Sequence, residues 1–503
     1  MKKGLFSLLL GYALFALFPC ELYSNEKSSN TLVLTLDKAI ELAVDSSLNS
    51  FIAENMYLAA YWRYNTYRAQ RLPFLNLHAD PAQYRRTFTQ EYDSQENTYR
   101  YVEQQTFYSG ANISLNQNIF STGGTLYLDS DLGRLENFGA NRFLQYNTVP
   151  LRVGLRQPLF AYNDFKWQKK IEPVKYEKAK LELVESMERI AVETVEMFFA
   201  LAAAQVNLQI AETQKANADT LLNIGKQRFE LASISREDLY MLQLEQVNTN
   251  NNLHRAQSQY KRAQMNLNSY LRLNADTRIE IILPDNIPDL HIAVSESLSL
   301  AKANHPSIKE LEEIVFRSRS DVERTLRESR FSANLQMSFG LSQMAETLHD
   351  AYKDPVDQQI VQVGVYIPLL DWGTAKGKHN LAKHNHQVVL AHADQSRIDF
   401  EQDIILTTEE FNRQSILVDG AAAADSIAGQ AYDLTLQRFI AGQVDIIRLN
   451  TSQHSSISAR MAYINALRDY WFYFYTMRRL TLYDFFDQKN LPDYFDERFG
   501  VDF

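Results

Sequence analysis

Cysteine is all but missing from this chain. Its single thiol, Cys20, lies in an N-terminal apolar stretch, so neither a disulfide framework nor a cysteine metal site can hold the rest together. Beyond that stretch there is no uninterrupted run of the roughly 18 apolar residues that a membrane helix needs, which excludes a helical span. A basic excess is missing too: the net charge of −10 leaves no cationic face for nucleic acid. Glycine is sparse, 17 residues against 27 Tyr and 28 Phe. That balance is unusual for a purely helical soluble protein and points to aromatics at a membrane interface.

What is present starts with Lys2 and Lys3, an apolar run over residues 5–18 and the small polar segment Ser24-Asn25-Glu26. This is the pattern of a secretory signal over residues 1–24, too short to remain as a span. Lipidation of Cys20 is the alternative, and the bulky Phe18 and Pro19 before it argue against that. Export without a membrane helix leaves a periplasmic or secreted protein, or a β-barrel.

The chain also reads itself twice. Val153-Gly154-Leu155-Arg156-Gln157-Pro158-Leu159-Phe160 recurs as Val363-Gly364-Val365-Tyr366-Ile367-Pro368-Leu369-Leu370, and Gln227-Arg228-Phe229 recurs as Gln437-Arg438-Phe439. Both offsets are 210 (363 − 153 and 437 − 227), so the stretch between the landmarks has one length in both copies. Leu36, Ile40, Leu42 and Ala43 match Val294, Leu298, Leu300 and Ala301 at an offset of 258 (301 − 43), which leaves the first copy 48 residues longer (258 − 210) ahead of Val153. Duplication on this scale favours a pseudo-symmetric assembly over a two-domain enzyme.

Proline is absent from residues 174–283 and from 369–491, and helix interiors are where proline costs most. Within the first tract Val184, Met187, Ala191, Thr194, Phe198 and Leu201 follow 3,4,3,4,3 spacing, a coiled-coil seam. A helix of roughly 65 residues is about 100 Å long, so such helices must pack along each other as hairpins or bundles.

Residues 74–160 alternate with period two instead. Ile113, Leu115 and Ile119 fall on one face, with Asn112, Ser114, Asn116 and Asn118 on the other; Leu126, Leu128 and Leu132 face away from Tyr127, Asp129 and Asp131. One apolar and one hydrophilic face over about ten residues is the pattern of a barrel strand with lipid outside and water inside. Ser121-Thr122-Gly123-Gly124 between them signals a tight turn. The chain therefore divides into a signal at 1–24, a first repeat at 31–283, a linker at 284–291, a second repeat at 292–483 and a tail at 484–503. The first repeat carries about four strands, an extra hairpin near 104–135 and a helical hairpin at 162–272; the second carries strands at 333–345 and 359–370 and a helical hairpin at 372–483.

At this point the chain resembles the TolC-like outer membrane efflux protein family. The residues that carry the likeness are Leu300-Ala301-Lys302-Ala303-Asn304-His305-Pro306-Ser307-Ile308, Arg71-Leu72-Pro73-Phe74-Leu75 and Gln157-Pro158-Leu159-Phe160. Two helix-tip segments complete it, Arg228-Phe229-Glu230-Leu231-Ala232 and Arg438-Phe439-Ile440-Ala441-Gly442. The resemblance implies a mainly α fold with a membrane β-barrel, built from a duplicated strand and long-helix repeat. It further implies a homotrimer that forms a channel-tunnel, with a β-barrel in outer membrane lipid and an α-helical barrel across the periplasm. The function implied is the exit duct of a tripartite efflux or type I secretion system, fed by an inner-membrane pump of RND or ABC type through a periplasmic adaptor, the membrane fusion protein. No cofactor, metal or catalytic residue is implied. The extra hairpin either joins the barrel, raising the trimer from about 12 strands to about 18, or folds over its mouth.

Family tips form the periplasmic aperture and meet the adaptor, which assigns that role here to residues 229–238 and 439–451, with Arg228, Phe229, Asp238, Arg438, Phe439, Gly442, Asp445, Arg448 and Thr451 as contact residues. Relatives close the aperture with a tyrosine bonded to an aspartate and place acidic rings inside. Asp238 matches the aspartate, whereas the tyrosine position holds Phe439 and the ring positions hold Arg448 and Thr451. Asp238 and Arg448, equivalent across the repeats (448 − 238 = 210), are the expected closing ion pair, the competing reading being two ordinary solvated charges.

Other signals are set against plainer readings. His379, His384, His386 and His392 cluster without Cys or HExxH, as on a hydrophilic helix face. Gly123-Gly124 lacks the ending of a phosphate loop. Trp167 and Trp372 follow the two Pro-Leu segments, where either an interfacial belt or ordinary packing would put them. Phe503 is a terminal aromatic without an alternating strand before it. An exported coiled-coil scaffold without a pore would share the helices but would need no amphipathic strands. A periplasmic adaptor would need a small barrel or lipoyl-like domain that the sequence lacks.

Overall fold

A computed structural model describes residues 31–95, 97–138, 142–231, 233–284 and 287–493. The signal segment expected at 1–24, Cys20 and Phe503 lie outside the described residues. The chain runs β1 (Thr31–Leu34), α1 (Leu36–Ser46), α2 (Leu48–Ala69), β2 (Phe74–Asp93), β3 (Thr98–Ile119), β4 (Gly124–Asn137), β5 (Phe143–Leu159), α3 (Asp164–Glu230), α4 (Arg236–Tyr270) and β6 (Arg278–Ile281). It continues through α5 (Val294–Asn304), α6 (Pro306–Glu328), β7 (Ser332–Ala345), β8 (Val356–Tyr366), α7 (Thr374–Ile440), α8 (Ile446–Thr481), β9 (Tyr483–Asp484) and β10 (Lys489–Asn490).

The constant offset in the sequence is the constant length of one helix and its turn. α3 and α7 each hold 67 residues; they start 210 apart (374 − 164), and so do α4 and α8 (446 − 236). α3 begins upstream of Pro173 and carries it inside, at the cost of one backbone hydrogen bond.

Two compact units emerge, and they do not follow the sequence repeats. One comprises residues up to 39 with 200–285, the other 40–199 with 286–503. In the first, β1 pairs in parallel with β6, Gln205 Nε2 donates to the Ile281 carbonyl at 3.2 Å while its Oε1 accepts the Ile281 N–H at 3.0 Å, and the Tyr260 hydroxyl donates to the Ile279 carbonyl. This short pair is thereby tied to the helices that flank it.

In the second unit Leu183 of α3 packs with Ala53, Tyr57 and Tyr61 of α2, and Tyr176 stacks on Tyr64 with ring centroids 4.6 Å apart. Of the seam read from the sequence, Ala191, Thr194, Phe198 and Leu201 are 3%, 0%, 0% and 0% exposed, while Val184 and Met187 are half-buried. The Thr194 hydroxyl donates to the Ile190 carbonyl, which satisfies it without water. One window of α3 is apolar enough to cross a membrane by length and composition, and half of it is buried inside the molecule, a test that core helices also pass. An uninterrupted-run criterion misses it because glutamates break the run.

A second core gathers Tyr470, Trp471, Phe474 and Met477 of α8. Phe411 of α7 lies 5.5 Å from the Tyr470 ring and Phe486 4.4 Å from that of Phe474. Of the tail expected at 484–503, residues 484–493 are described: β9 and β10 form a hairpin, and Asn490 Oδ1 accepts from Asn304 Nδ2 at 2.7 Å. Arg478 joins these parts. It forks onto Glu188 at 3.0 and 2.9 Å and reaches Asp484 at 2.8 Å. Burial pushes the Glu188 carboxyl above its usual range, and Arg478 opposes that push.

The sheet, all within the second unit, has the order β2-β3-β4-β5-β7-β8 with every neighbour antiparallel. The extra hairpin of the first repeat is β3–β4, and it lies between β2 and β5. β8 departs from the strand expected at 359–370: it starts at Val356 and stops at Tyr366, because Pro368 has no N–H to continue the ladder.

Candidate functional site

The sheet is inside out for a soluble protein. Cross-strand partners Leu75, Leu115, Leu128, Val153 and Phe339 form one row over five strands. All five are exposed, from 36% at Leu128 to 69% at Leu75. Val361, Val363 and Val365 extend the apolar face over β8. The opposite face holds Tyr127 and Asp129, which are 5% and 8% exposed. There Arg152 Nε donates to Asp129 Oδ1 at 3.0 Å, Asn112 Nδ2 reaches Asp131 Oδ2 at 3.4 Å, and the Arg156 guanidinium lies 4.6 Å from the Tyr127 ring centre. Gly154 is required by this packing, since a Cβ would collide with Tyr127. Polar groups clustered on one face and bare hydrocarbon on the other are what a wall between water and lipid needs.

The turn between β3 and β4 is fastened at the helix end of the sheet. Asn163 Nδ2 donates to the Phe120 and Ser121 carbonyls at 3.1 Å each, while its Oδ1 accepts from the Lys166 N–H at the start of α3. Gln157 Nε2 donates to the Thr122 carbonyl and Gln117 Nε2 to that of Arg71. Gly123 takes a positive φ of 78° in the turn, as its sequence predicts. At the far end β2 and β3 outrun the sheet: β3 pairs with β4 only from Thr106 onward, yet with β2 as far as Thr98. The resulting two-stranded ribbon exposes Phe88, Tyr92, Tyr99 and Tyr101.

The helix tips are the other candidate site, and each belongs to its own unit. In the first, Arg228 and Phe229 occupy the last turn of α3, and the Ser233 N–H donates to the Arg228 carbonyl at 2.8 Å. Ser235 then caps α4 by accepting the Asp238 N–H at 3.0 Å, and Asp238 Oδ2 accepts both the Ser235 N–H and its hydroxyl. This is a capping box. Ser235 followed at the third residue by Asp238 is the local sequence signature of such a box. In the second, Arg438 and Phe439 end α7; Gly442, with φ 73°, donates its N–H to the Phe439 carbonyl, and Gln443 donates to that of Arg438. That double closure needs the left-handed residue that glycine supplies most cheaply. Asp445 caps α8 by accepting the Arg448 N–H at 2.8 Å, and the Thr451 hydroxyl bonds back to the Ile447 carbonyl. Asp238 and Arg448 thus hold the same position, three residues into a helix. Asp238 suits the positive end of a helix dipole there and Arg448 opposes it.

The remaining candidates find local roles. His379 and His386 meet Thr325 and Ser318 of α6 at 3.4 and 2.8 Å. Trp167 is packed, its Nε1 donating to Glu323 at 2.9 Å, whereas Trp372 is 89% exposed.

Sequence comparison finds no matching family model and no matching curated protein. Solved structures do match. A membrane protein from Pseudomonas aeruginosa superposes with a TM-score of 0.63 at 15% identity, over 90% of this chain and 91% of that one. The CmeC outer membrane channel of Campylobacter jejuni gives 0.64 at 14% over 89% and 85%, and the outer membrane protein VceC of Vibrio cholerae gives 0.62 at 13% over 89% and 95%. The chain has the outer-membrane channel fold. The architecture expected from the resemblance, strands and long helices duplicated within one chain, is therefore present nearly end to end.

Proposed function

We propose that three copies of this chain form a passive exit duct, with the sheet in outer membrane lipid and the helices extending into the periplasm. The observation that carries this reading is the inverted polarity of the sheet: leucines, valines and Phe339 exposed on one face, Asp129 and Tyr127 buried on the other. A coiled-coil scaffold has no use for such a wall. Energy would come from an inner-membrane pump of RND or ABC type, coupled through a periplasmic adaptor that meets the tips. Adaptor binding would shift a closed tip arrangement to an open one by the difference in contact energy between the two. Arg228, Phe229, Asp238, Arg438, Phe439, Gly442, Asp445, Arg448 and Thr451 are the proposed contacts, with Asp238 and Arg448 as the closing pair. Asp238 Oδ2 already accepts two bonds from Ser235, so an arginine must share that carboxylate with the cap.

Detergent-purified protein in a planar bilayer, with its mass determined in parallel, tests the reading. A trimer with discrete conductance steps supports the duct; a monomer or dimer that never conducts discards it in favour of the scaffold. Arg448→Ala should raise single-channel conductance, and an unchanged value removes the ion pair.

A further inference from the structure

The sheet has two open edges. Among the described residues β2 pairs only with β3 and β8 only with β7. Lipid does not tolerate a row of unpaired backbone groups, so both edges must be covered. One chain cannot cover them itself, since six strands fall below the roughly eight whose barrel just encloses its own side chains.

The occupant that fits is another copy of the same edge. Six antiparallel strands leave β2 and β8 running in opposite directions, so β8 of one copy continues onto β2 of the next without breaking the antiparallel pattern. The faces match as well. Leu75 and Leu77 of β2 are each 69% exposed, and Val361, Val363 and Val365 of β8 are 71%, 59% and 58% exposed, so the apolar belt crosses the seam. Both strands also meet the helices at the same end of the sheet, β2 following α2 and β8 preceding α7.

The β3–β4 hairpin is part of this wall and not a plug. β3 pairs with β2 from Asn116 to Thr98, and β4 pairs with β5 from Thr125 to Asn137. The apolar row passes through Leu115 and Leu128 without interruption, and Asn163 fixes the turn to the helix base.

We infer that three copies close a single barrel of about 18 strands rather than about 12, an inference that rests on the proposed trimeric duct. With strands about 4.8 Å apart and tilted about 40°, the wall measures about 36 Å across its backbone, against about 24 Å without the hairpins. The outer-membrane segment is then no size filter, and any sieving falls to the helical part.

Because the only native cysteine is Cys20, a Cys20→Ser background allows clean crosslinking. Val363→Cys is combined in turn with Leu75→Cys, Leu77→Cys or Ala79→Cys and oxidised in membranes. We expect covalently linked trimers on a denaturing gel from at least one pair. Leu75→Cys with Val153→Cys is the counter-test, since those strands become neighbours only if the hairpin leaves the wall. Intramolecular crosslinking of that pair, with no intermolecular band from the other three, overturns the inference while leaving the trimer intact. A wild-type trimer whose barrel measures about 24 Å by electron microscopy would overturn it independently. Absence of a trimer by native mass strikes the duct reading instead.

Discussion

Two regions of this molecule place similar side chains in opposite surroundings. At the root of α8, Phe474 is 1% exposed among Phe411, Trp471 and Phe486; in β7, Phe339 is 58% exposed. Neither is a defect once the solvent differs. Around α8 hydrocarbon escapes water by packing on the chain itself; in the sheet, under the proposed orientation, it escapes by meeting lipid.

The contrast can be broken most strongly at α8. Phe474→Ala should cost about 3–5 kcal/mol, and Arg478→Ala a similar amount by leaving Glu188 buried without its partner; Phe339→Ala should cost far less in micelles. Denaturation in detergent compares the three, and equal losses at Phe474 and Phe339 would erase the distinction. At Glu188 itself acid should not cost stability. Its folded pKa lies above the unfolded one, so protonation favours the folded state as pH falls.

A charge in the wall gives the complementary test. Val363→Arg should destabilise the barrel by about 2–4 kcal/mol in a bilayer, measured by urea refolding into vesicles, yet hardly at all if that face meets water. A graded effect is expected at His305, whose pKa is lowered to about 4 by burial and by Arg479. The unfolded chain binds this proton more readily, so stability is lost as pH falls from about 6.5 to about 4, by at most about 3 kcal/mol. The same proton would occupy Nδ1, which now accepts the Ser307 N–H at the start of α6. His305→Asn should flatten the melting temperature across that range. The smallest effect is at the first tip, where Ser235→Ala should cost about 1 kcal/mol of helix stability, seen as faster amide exchange confined to the start of α4.

Much of this architecture was legible in the residues. The two 67-residue helices announce themselves through repeated landmarks and missing prolines, and the alternation at 112–132 foretold that Ile113, Leu115, Leu126 and Leu128 would lie bare, although Ile119 and Leu132 are half-buried. Whether β3–β4 would join the sheet was not legible, because period-two alternation is the same for a wall strand and a plug strand; pairing partners are non-local. Trp167 illustrates a second limit, since its partner Glu323 is 156 residues away. The tips divide likewise: caps such as Ser235 and Asp445 are local and readable, while a pairing between tips depends on assembly.

The ribbon formed by the outer ends of β2 and β3 has a practical consequence. In the proposed orientation it stands outside the cell, encoded by one continuous stretch from Arg86 to Gln105. An antibody raised against a peptide of that stretch would have a target on living cells, with Tyr92 and Tyr99 in contact, ring centres 5.2 Å apart. A short tag inserted between β2 and β3 would report surface display without disturbing the wall.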